Sequence, residues 1–226
     1  MNPDKLRQQI TVVADDLPAL DAEAASGDDF ARHLVARLRV AADNAAGCAK
    51  LAEAGLSAPL ATVTRSILEG LFVTYWALLS DENARTVVES FRNEGARLLR
   101  NLLQKRRGIV ISKTTGENFT DEFRASLLFA DAKRPLVVFK LAEEASLEKL
   151  YDIFYTFLSM FAHGTATEIL AGVGAGGKVQ HEKMIPVLVE AARSLLKSIH
   201  VIVVNKVRFG RRTARDELES ILKIPL

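Results

Sequence analysis

Apolar residues recur at intervals of three and four positions along almost the whole chain of 226 residues. This spacing places them on one face of an α-helix, whereas a half-buried strand would carry them at every second position. The face predicted between Asp28 and Gly55 consists of Phe30, Leu34, Leu38, Ala41 and Ala45. The pattern therefore predicts an all-α protein with a single helical-bundle domain of about seven to nine helices.

The predicted organisation has a short acidic part followed by the bundle. We expect a first helix at Asp4–Ala14 and a connection that together occupy residues 1–27, with the helical-bundle domain at 28–226. Any strand is expected only near Ile109–Ile111, where the helical spacing is interrupted.

Composition excludes several classes of protein and site. Hydrophobic residues make up 49% of the chain and charged residues 26%, which is typical of a packed globular protein. Because Cys48 is the only cysteine, neither an intramolecular disulfide nor a cysteine-based zinc site is expected, and no metal or cofactor is predicted. The N-terminus lacks an apolar signal segment, and charges interrupt the most apolar windows. We therefore expect a cytoplasmic protein without a membrane partner.

The charges are distributed unevenly although the net charge is only +2. The first thirty residues are acidic, whereas the stretch from Arg193 to Arg215 is basic. Ends of opposite sign attract within a chain or between subunits, and the basic end could alternatively contact phosphates or form a solvated face. The last long helix adds an apolar face formed by Ile185, Val189, Leu196, Ile199 and Val203. Together these features predict a homo-oligomer, most simply a homodimer.

Arg65 and Glu69 lie one turn apart in an otherwise apolar helix. Charged side chains in such surroundings are expected to be paired or functional. Two interpretations stay open, namely a local ion pair and a part of a binding or catalytic site.

A second polar stripe follows Ser146, which we expect to cap a helix over Leu147–Ala162. Four polar residues recur at four-residue spacing, which stacks their side chains on one face: Tyr151, Tyr155, Ser159 and His163. Thr165 and Glu168 have the spacing of a capping box, whose free N–H groups could bind an anion close to the His163 imidazole. The alternative is a histidine that only favours the negative end of the helix dipole.

The two segments together resemble the hallmark segments of a bacterial helical family catalogued as domain of unknown function 5677. They read Arg65-Ser66-Ile67-Leu68-Glu69 and Tyr155-Thr156-Phe157-Leu158-Ser159-Met160-Phe161-Ala162-His163-Gly164. The resemblance covers about residues 28–171 and nominates Arg65, Glu69, Tyr155, Ser159 and His163 as site residues. Thr156 occupies the position where the family usually has an arginine.

The family is loosely similar to HEPN helical bundles, which often serve in phage defence and toxin systems. The HEPN ribonuclease arginine is missing before His163, so the resemblance does not imply ribonuclease activity. Arg193 and His200 also fit the Arg-x4–6-His spacing of these ribonucleases, but a match this short is expected about once by chance.

Two functions are compatible with these residues. In the first, the chain binds a phosphate-bearing ligand, RNA or a nucleotide, with Arg65, Glu69 and His163 as catalytic groups. Arg65 would hold an anionic oxygen, Glu69 would orient Arg65, and His163 would act as general acid or base. Ligand-binding groups would be Tyr155, Ser159 and Thr165. In the second, a non-catalytic interaction or scaffold subunit uses the same residues to lock two helices together.

Overall fold

A computed structural model of the protein describes residues 3–90, 109–123, 136–162 and 177–223. Helices account for more than half of the chain, which confirms the all-α prediction. Their bounds are α1 Asp4–Ala25, α2 Asp29–Glu53, α3 Ser57–Ala77, α4 81–90, α5 Val138–Glu144, α6 Glu148–Leu150, a π-helix Tyr151–Tyr155, α7 Thr156–Ala162, α8 Gly177–Phe209 and α9 Arg215–Leu222. Within the described ranges, strand pairing is limited to one antiparallel bridge between Ile111 and Asn118, next to the segment predicted for it.

Four long helices form the central bundle. Helices α2 and α8 contact each other, and each of them also packs against both α1 and α3. Each helix contributes a fully buried side chain, namely Leu20, Leu34, Phe72 and Leu196. Helix α1 therefore shares the core of the bundle, and the boundary predicted after residue 27 falls in the turn between α1 and α2.

The predicted end of the first helix at Ala14 is wrong, because α1 continues to Ala25 through Pro18. Proline inside a helix removes a backbone hydrogen bond and costs about 3 kcal/mol. Beyond the proline, however, Leu20 and Ala24 are almost completely buried against the bundle. Burial of one leucine side chain contributes about 1.5–3 kcal/mol, which offsets most of that cost. Packing therefore extends the helix past a residue that favours its end.

The predicted cap at Ser146 is also wrong. Ser146 has a left-handed backbone with φ of 54° and ends α5 instead of starting the next helix. Its N–H donates to the carbonyl of Glu143, and the N–H of Leu147 donates to the carbonyl of Ala142. These two bonds form a Schellman motif, which satisfies carbonyls at the end of α5.

A π-helix interrupts the helical segment that the sequence predicted as one regular helix. The N–H of Thr156 donates to the carbonyl of Tyr151, five residues earlier, so the Tyr151–Tyr155 turn is wider than an α-helical turn. The rings of Tyr151 and Tyr155 consequently stack, with centroids 4.5 Å apart and an interplanar angle of 16°. The π-helix continues into α7, which packs against α3.

The acidic beginning and the basic end of the chain meet in what we call the terminal charge cluster: Asp16, Glu23, His200 and Arg208. Arg208 Nε donates to both carboxylate oxygens of Glu23 at 3.1 and 3.2 Å, and its Nη2 lies 3.3 Å from Asp16 Oδ1. His200 Nε2 lies 2.8 Å from Asp16 Oδ2. Burial lowers the pKa of His200, although the hydrogen bond with Asp16 opposes this shift. Helices α1 and α8 are thus joined by charge as well as by apolar packing.

The features that predicted a homo-oligomer are largely satisfied within one chain. The opposite charges of the two ends pair with each other, and most of the apolar face of α8 is buried in the bundle. Its buried members are Val189, Leu196, Ile199 and Val203. The state of assembly itself stays a prediction. Among the described helices, none is long and apolar enough to cross a membrane.

Candidate functional site

Arg65 and Glu69 lie on α3, on the side that faces away from the centre of the bundle. Their neighbours Ile67, Leu68 and Leu71 are fully buried, whereas the side chains of Arg65 and Glu69 are 21% and 36% exposed. Because the residues are four positions apart, their side chains lie one above the other, and Arg65 Nε donates to Glu69 Oε1 at 3.0 Å. The local ion pair is present, and both of its side chains are partly exposed.

Arg65 also contacts Tyr155, which lies ninety positions later in the chain. Its Nη2 donates to the phenol oxygen of Tyr155 at 2.6 Å, and the guanidinium carbon lies 4.6 Å from the centre of the tyrosine ring. Arg65 therefore combines a hydrogen bond with a cation–π contact. The two polar segments of the sequence meet at Arg65 and Tyr155. The catalytic or ligand-binding role of these residues stays a prediction.

The surroundings keep Tyr155 protonated. Burial raises the pKa of the Tyr155 phenol, and the charge of the Glu69 carboxylate raises it further, while the hydrogen bond from Arg65 opposes both effects. Arg65, Glu69 and Tyr155 thus form a connected group, which we call the arginine–tyrosine cluster. It brings one cation, one carboxylate and one neutral phenol together at the surface.

Ser159 lies on α7, four residues after Tyr155, and its hydroxyl bonds to the backbone, whereas the sequence predicted a ligand-binding group. Its Oγ donates to the backbone carbonyl of Tyr155 at 2.6 Å. Because that bond uses the only proton of the hydroxyl, Ser159 could contact a ligand only as an acceptor. The half-buried serine supports the backbone that carries Tyr155.

Two aromatic residues extend the cluster beyond the predicted set. Tyr151 stacks on Tyr155, and Phe139 of α5 meets Tyr151 edge to face with ring centroids 5.3 Å apart. Phe139 is 46% exposed, so this row of rings reaches solvent. Tyr151 already stood in the four-residue pattern of the sequence. The contribution of Phe139 depends on packing between helices and has no signal in the sequence.

His163 and Thr165 lie outside the described residues. His163 as a catalytic group and Thr165 as a ligand-binding group therefore stay predictions from the sequence. The described helix that precedes them ends at Ala162, seven residues after Tyr155.

A family comparison covers this region of the chain. The model of the Family of unknown function (DUF5677) matches residues 34–175, which is more than half of the chain. The chain belongs to this family. No curated protein and no solved structure matches it. All three members of the arginine–tyrosine cluster lie within the DUF5677 match, whereas all four members of the terminal charge cluster lie outside it.

The Arg193 and His200 pair, also outside the DUF5677 match, does not form a joint site. Arg193 is hydrogen-bonded to both carboxylate oxygens of Glu190, while His200 is bound to Asp16 of α1. The described part of the chain holds no group of three or more histidine, cysteine, aspartate or glutamate side chains that could hold a metal ion.

Most arginines of residues 208–215, which we call the basic tail, pair with different carboxylates of the same chain. Arg208 belongs to the terminal charge cluster, Arg211 lies 3.8 Å from Glu217, and Arg215 lies 3.4 Å from Glu219. Most of the tail's arginines are therefore neutralised within the chain. This arrangement favours a solvated face over an extended nucleic-acid surface.

Proposed function

We propose that this DUF5677 protein binds a phosphate-bearing ligand, either RNA or a nucleotide, at the arginine–tyrosine cluster. The observation that carries the proposal is the partly exposed side chain of Arg65, whose guanidinium is held by Glu69 and lies over a tyrosine that stacks on a second tyrosine. Arginine and aromatic rings together form the combination that recognises phosphates and unpaired bases.

The hydrogen bonds of Arg65 leave capacity for a ligand. A guanidinium carries five N–H donors, and the described contacts engage one on Nε and one on Nη2. The remaining N–H groups would donate hydrogen bonds to a phosphate oxygen, since the side chain of Arg65 is partly exposed. Glu69 fixes the guanidinium before the ligand arrives, which reduces the entropy lost on binding.

The aromatic row would supply the second half of the site. A base stacked on an aromatic side chain contributes about 1–3 kcal/mol in single-stranded nucleic-acid complexes. Phe139, Tyr151 and Tyr155 offer such surfaces beside the guanidinium. In this proposal, Ser159 and Thr165 assist as ligand-binding groups. Any turnover of the ligand would depend on His163 as general acid or base.

The test compares binding by two arginine variants. A fluorescent uridine oligonucleotide and a fluorescent ATP analogue are titrated with the wild-type protein, Arg65→Met and Arg39→Met, and anisotropy reports binding. Arg39 of α2 serves as the control because it is also paired with a carboxylate, that of Asp21 on α1, and is not part of the arginine–tyrosine cluster. We expect Arg65→Met to weaken binding at least tenfold and Arg39→Met to change it less than twofold. Equal effects of both variants would contradict the proposal.

The second candidate is the scaffold function, and one observation favours it specifically. The described partners of Arg65 are Glu69 and Tyr155, so the cluster by itself joins α3 to the π-helix. If this is its role, Arg65→Met lowers the melting temperature and neither probe binds the wild-type protein. Binding by the wild type with a nearly unchanged melting temperature of Arg65→Met supports the ligand site instead.

Three further predictions belong to this proposal. A homo-oligomer is one, and sedimentation velocity at micromolar concentration tests it. Cytoplasmic location is another, which fractionation of the source cells tests. A role in phage defence or a toxin-type system rests on the similarity to HEPN bundles and is tested by deletion of the gene followed by phage challenge.

A further inference from the structure

A cavity with a volume of about 500 Å³ lies beside the π-helix. Its walls come from α6, the π-helix, α8 and the end of α9. They are mostly apolar, and the main contributors are Leu150, Phe154, Val187, Ala191, Leu195 and Leu222. A volume of this size is typical of sites for small molecules, which are usually lined by apolar side chains with a few polar groups.

One of these polar groups is the hydroxyl of Ser194. Ser194 lines the cavity although its residue is only 8% exposed. Its backbone carbonyl accepts a hydrogen bond from Ser198 Oγ at 2.9 Å, but within the described residues its own hydroxyl has no hydrogen-bond partner. Buried hydroxyls are nearly always hydrogen-bonded, so an unpartnered one at the wall of a cavity points to a ligand atom that completes it.

The other polar group is Glu190, one turn before Ser194. Arg193 holds its carboxylate through Nε, 2.9 Å from Oε2, and through Nη2 to Oε1. The hydrogen bond from Arg193 lowers the pKa of Glu190, so the carboxylate is ionised at neutral pH. An ionised carboxylate only accepts hydrogen bonds. The polar end of an occupant that bonds to Glu190 must therefore carry a hydrogen that it can donate.

We propose that this cavity binds a neutral, mostly apolar small molecule whose single hydroxyl or amide group hydrogen-bonds to Ser194 and Glu190. The apolar body of the ligand would fill the space between Phe154, Val187 and Leu195. The cavity is separate from the arginine–tyrosine cluster, because Arg65, Glu69 and Tyr155 are not among the residues that line it.

The experiment uses 1-octanol and octanoate as probes of equal chain length. Each is titrated into the full chain at pH 8 by isothermal calorimetry. We expect saturable binding of one octanol per chain and binding of octanoate at least tenfold weaker, because octanoate at this pH has no hydrogen to donate to the Glu190 carboxylate. Loss of one hydrogen bond in Ser194→Ala should weaken octanol binding about three- to tenfold.

The matched control is Ser198→Ala, which removes a buried hydroxyl from the same helix without touching the cavity. It should bind octanol like the wild type. Ala191→Phe fills the cavity and should abolish octanol binding while the far-UV circular dichroism stays unchanged. If that variant does not fold, the comparison of Ser194→Ala with Ser198→Ala decides the test. The proposal is overturned if octanol does not bind saturably, if octanoate binds as tightly, or if the two serine variants behave alike.

Discussion

Acidification should destabilise the protein through His33, a histidine of α2. Its Nε2 accepts a hydrogen bond from Arg37 Nε at 3.0 Å, so the ring must be neutral at this nitrogen. Burial, followed by the positive charge of Arg37, lowers the pKa of His33 from 6.5 to about 4. Burial also lowers the pKa of Arg37 to about 10, which leaves it charged at neutral pH. Protonated His33 would therefore lose its hydrogen bond and face a cation.

The size of the effect follows from the two pKa values of His33. Between pH 6.5 and pH 4 the unfolded chain binds a proton at this site and the folded chain does not, so the free energy of unfolding falls as the pH falls. The contribution of neutral His33 to the free energy of unfolding is complete above pH 6.5 and is lost as the pH approaches 4. The whole shift corresponds to about 3 kcal/mol, of which about 2 kcal/mol is lost between pH 7 and pH 5.

Urea unfolding at pH 7 and pH 5 measures this loss in the wild type and in His33→Gln. Glutamine keeps a neutral acceptor for Arg37 but does not titrate, while His200 and the carboxylates contribute equally in both proteins. We expect the wild type to lose about 2 kcal/mol more than the variant over this range. Equal losses, or a His33 pKa of 6 or above by NMR, would refute the reasoning.

Three further predictions concern packing and charge. Phe72→Ala should lower the free energy of unfolding by about 3–5 kcal/mol, because Phe72 is fully buried. A loss below about 1 kcal/mol in urea unfolding would contradict the packing described. Arg208→Gln breaks the ion pair with Glu23, whose two side chains are partly exposed. It should lower the free energy of unfolding by only about 0.5–1 kcal/mol, and this loss should be smaller in 1 M NaCl than at low salt. A double-mutant cycle with Arg65→Met and Tyr155→Phe should give a coupling of about 0.5–1.5 kcal/mol in chemical denaturation, and additive losses would exclude the described hydrogen bond.

The position of the clusters relative to the DUF5677 match separates two questions about the protein. The arginine–tyrosine cluster lies inside the match, so binding experiments on it address a property of the matched region. The terminal charge cluster uses α1 and the end of α8, which lie outside residues 34–175. Its variants therefore test how this chain holds its two ends together.

The helices were predictable because their signals are local. The apolar spacing placed α2 within two residues of its observed bounds, and Asp28 caps it by accepting the N–H of Ala31 at 2.8 Å. The pairing of Arg65 with Glu69 was equally predictable, since residues four positions apart always meet on a helix. Such features depend only on neighbours within one turn.

Tertiary structure decided which of these local features meet. The charges of Asp16 and Arg208 could have joined two subunits, and only the packing of α1 against α8 brings them together within one chain. The π-helix, which stacks Tyr151 on Tyr155, replaces the regular turns that the spacing predicted. The contact between Arg65 and Tyr155 likewise requires α3 and the π-helix to be neighbours. The contacts of Asp16 with Arg208 and of Arg65 with Tyr155 join residues that are distant in sequence. They form because the free energy of burying a whole helix face outweighs the preferences of a single turn.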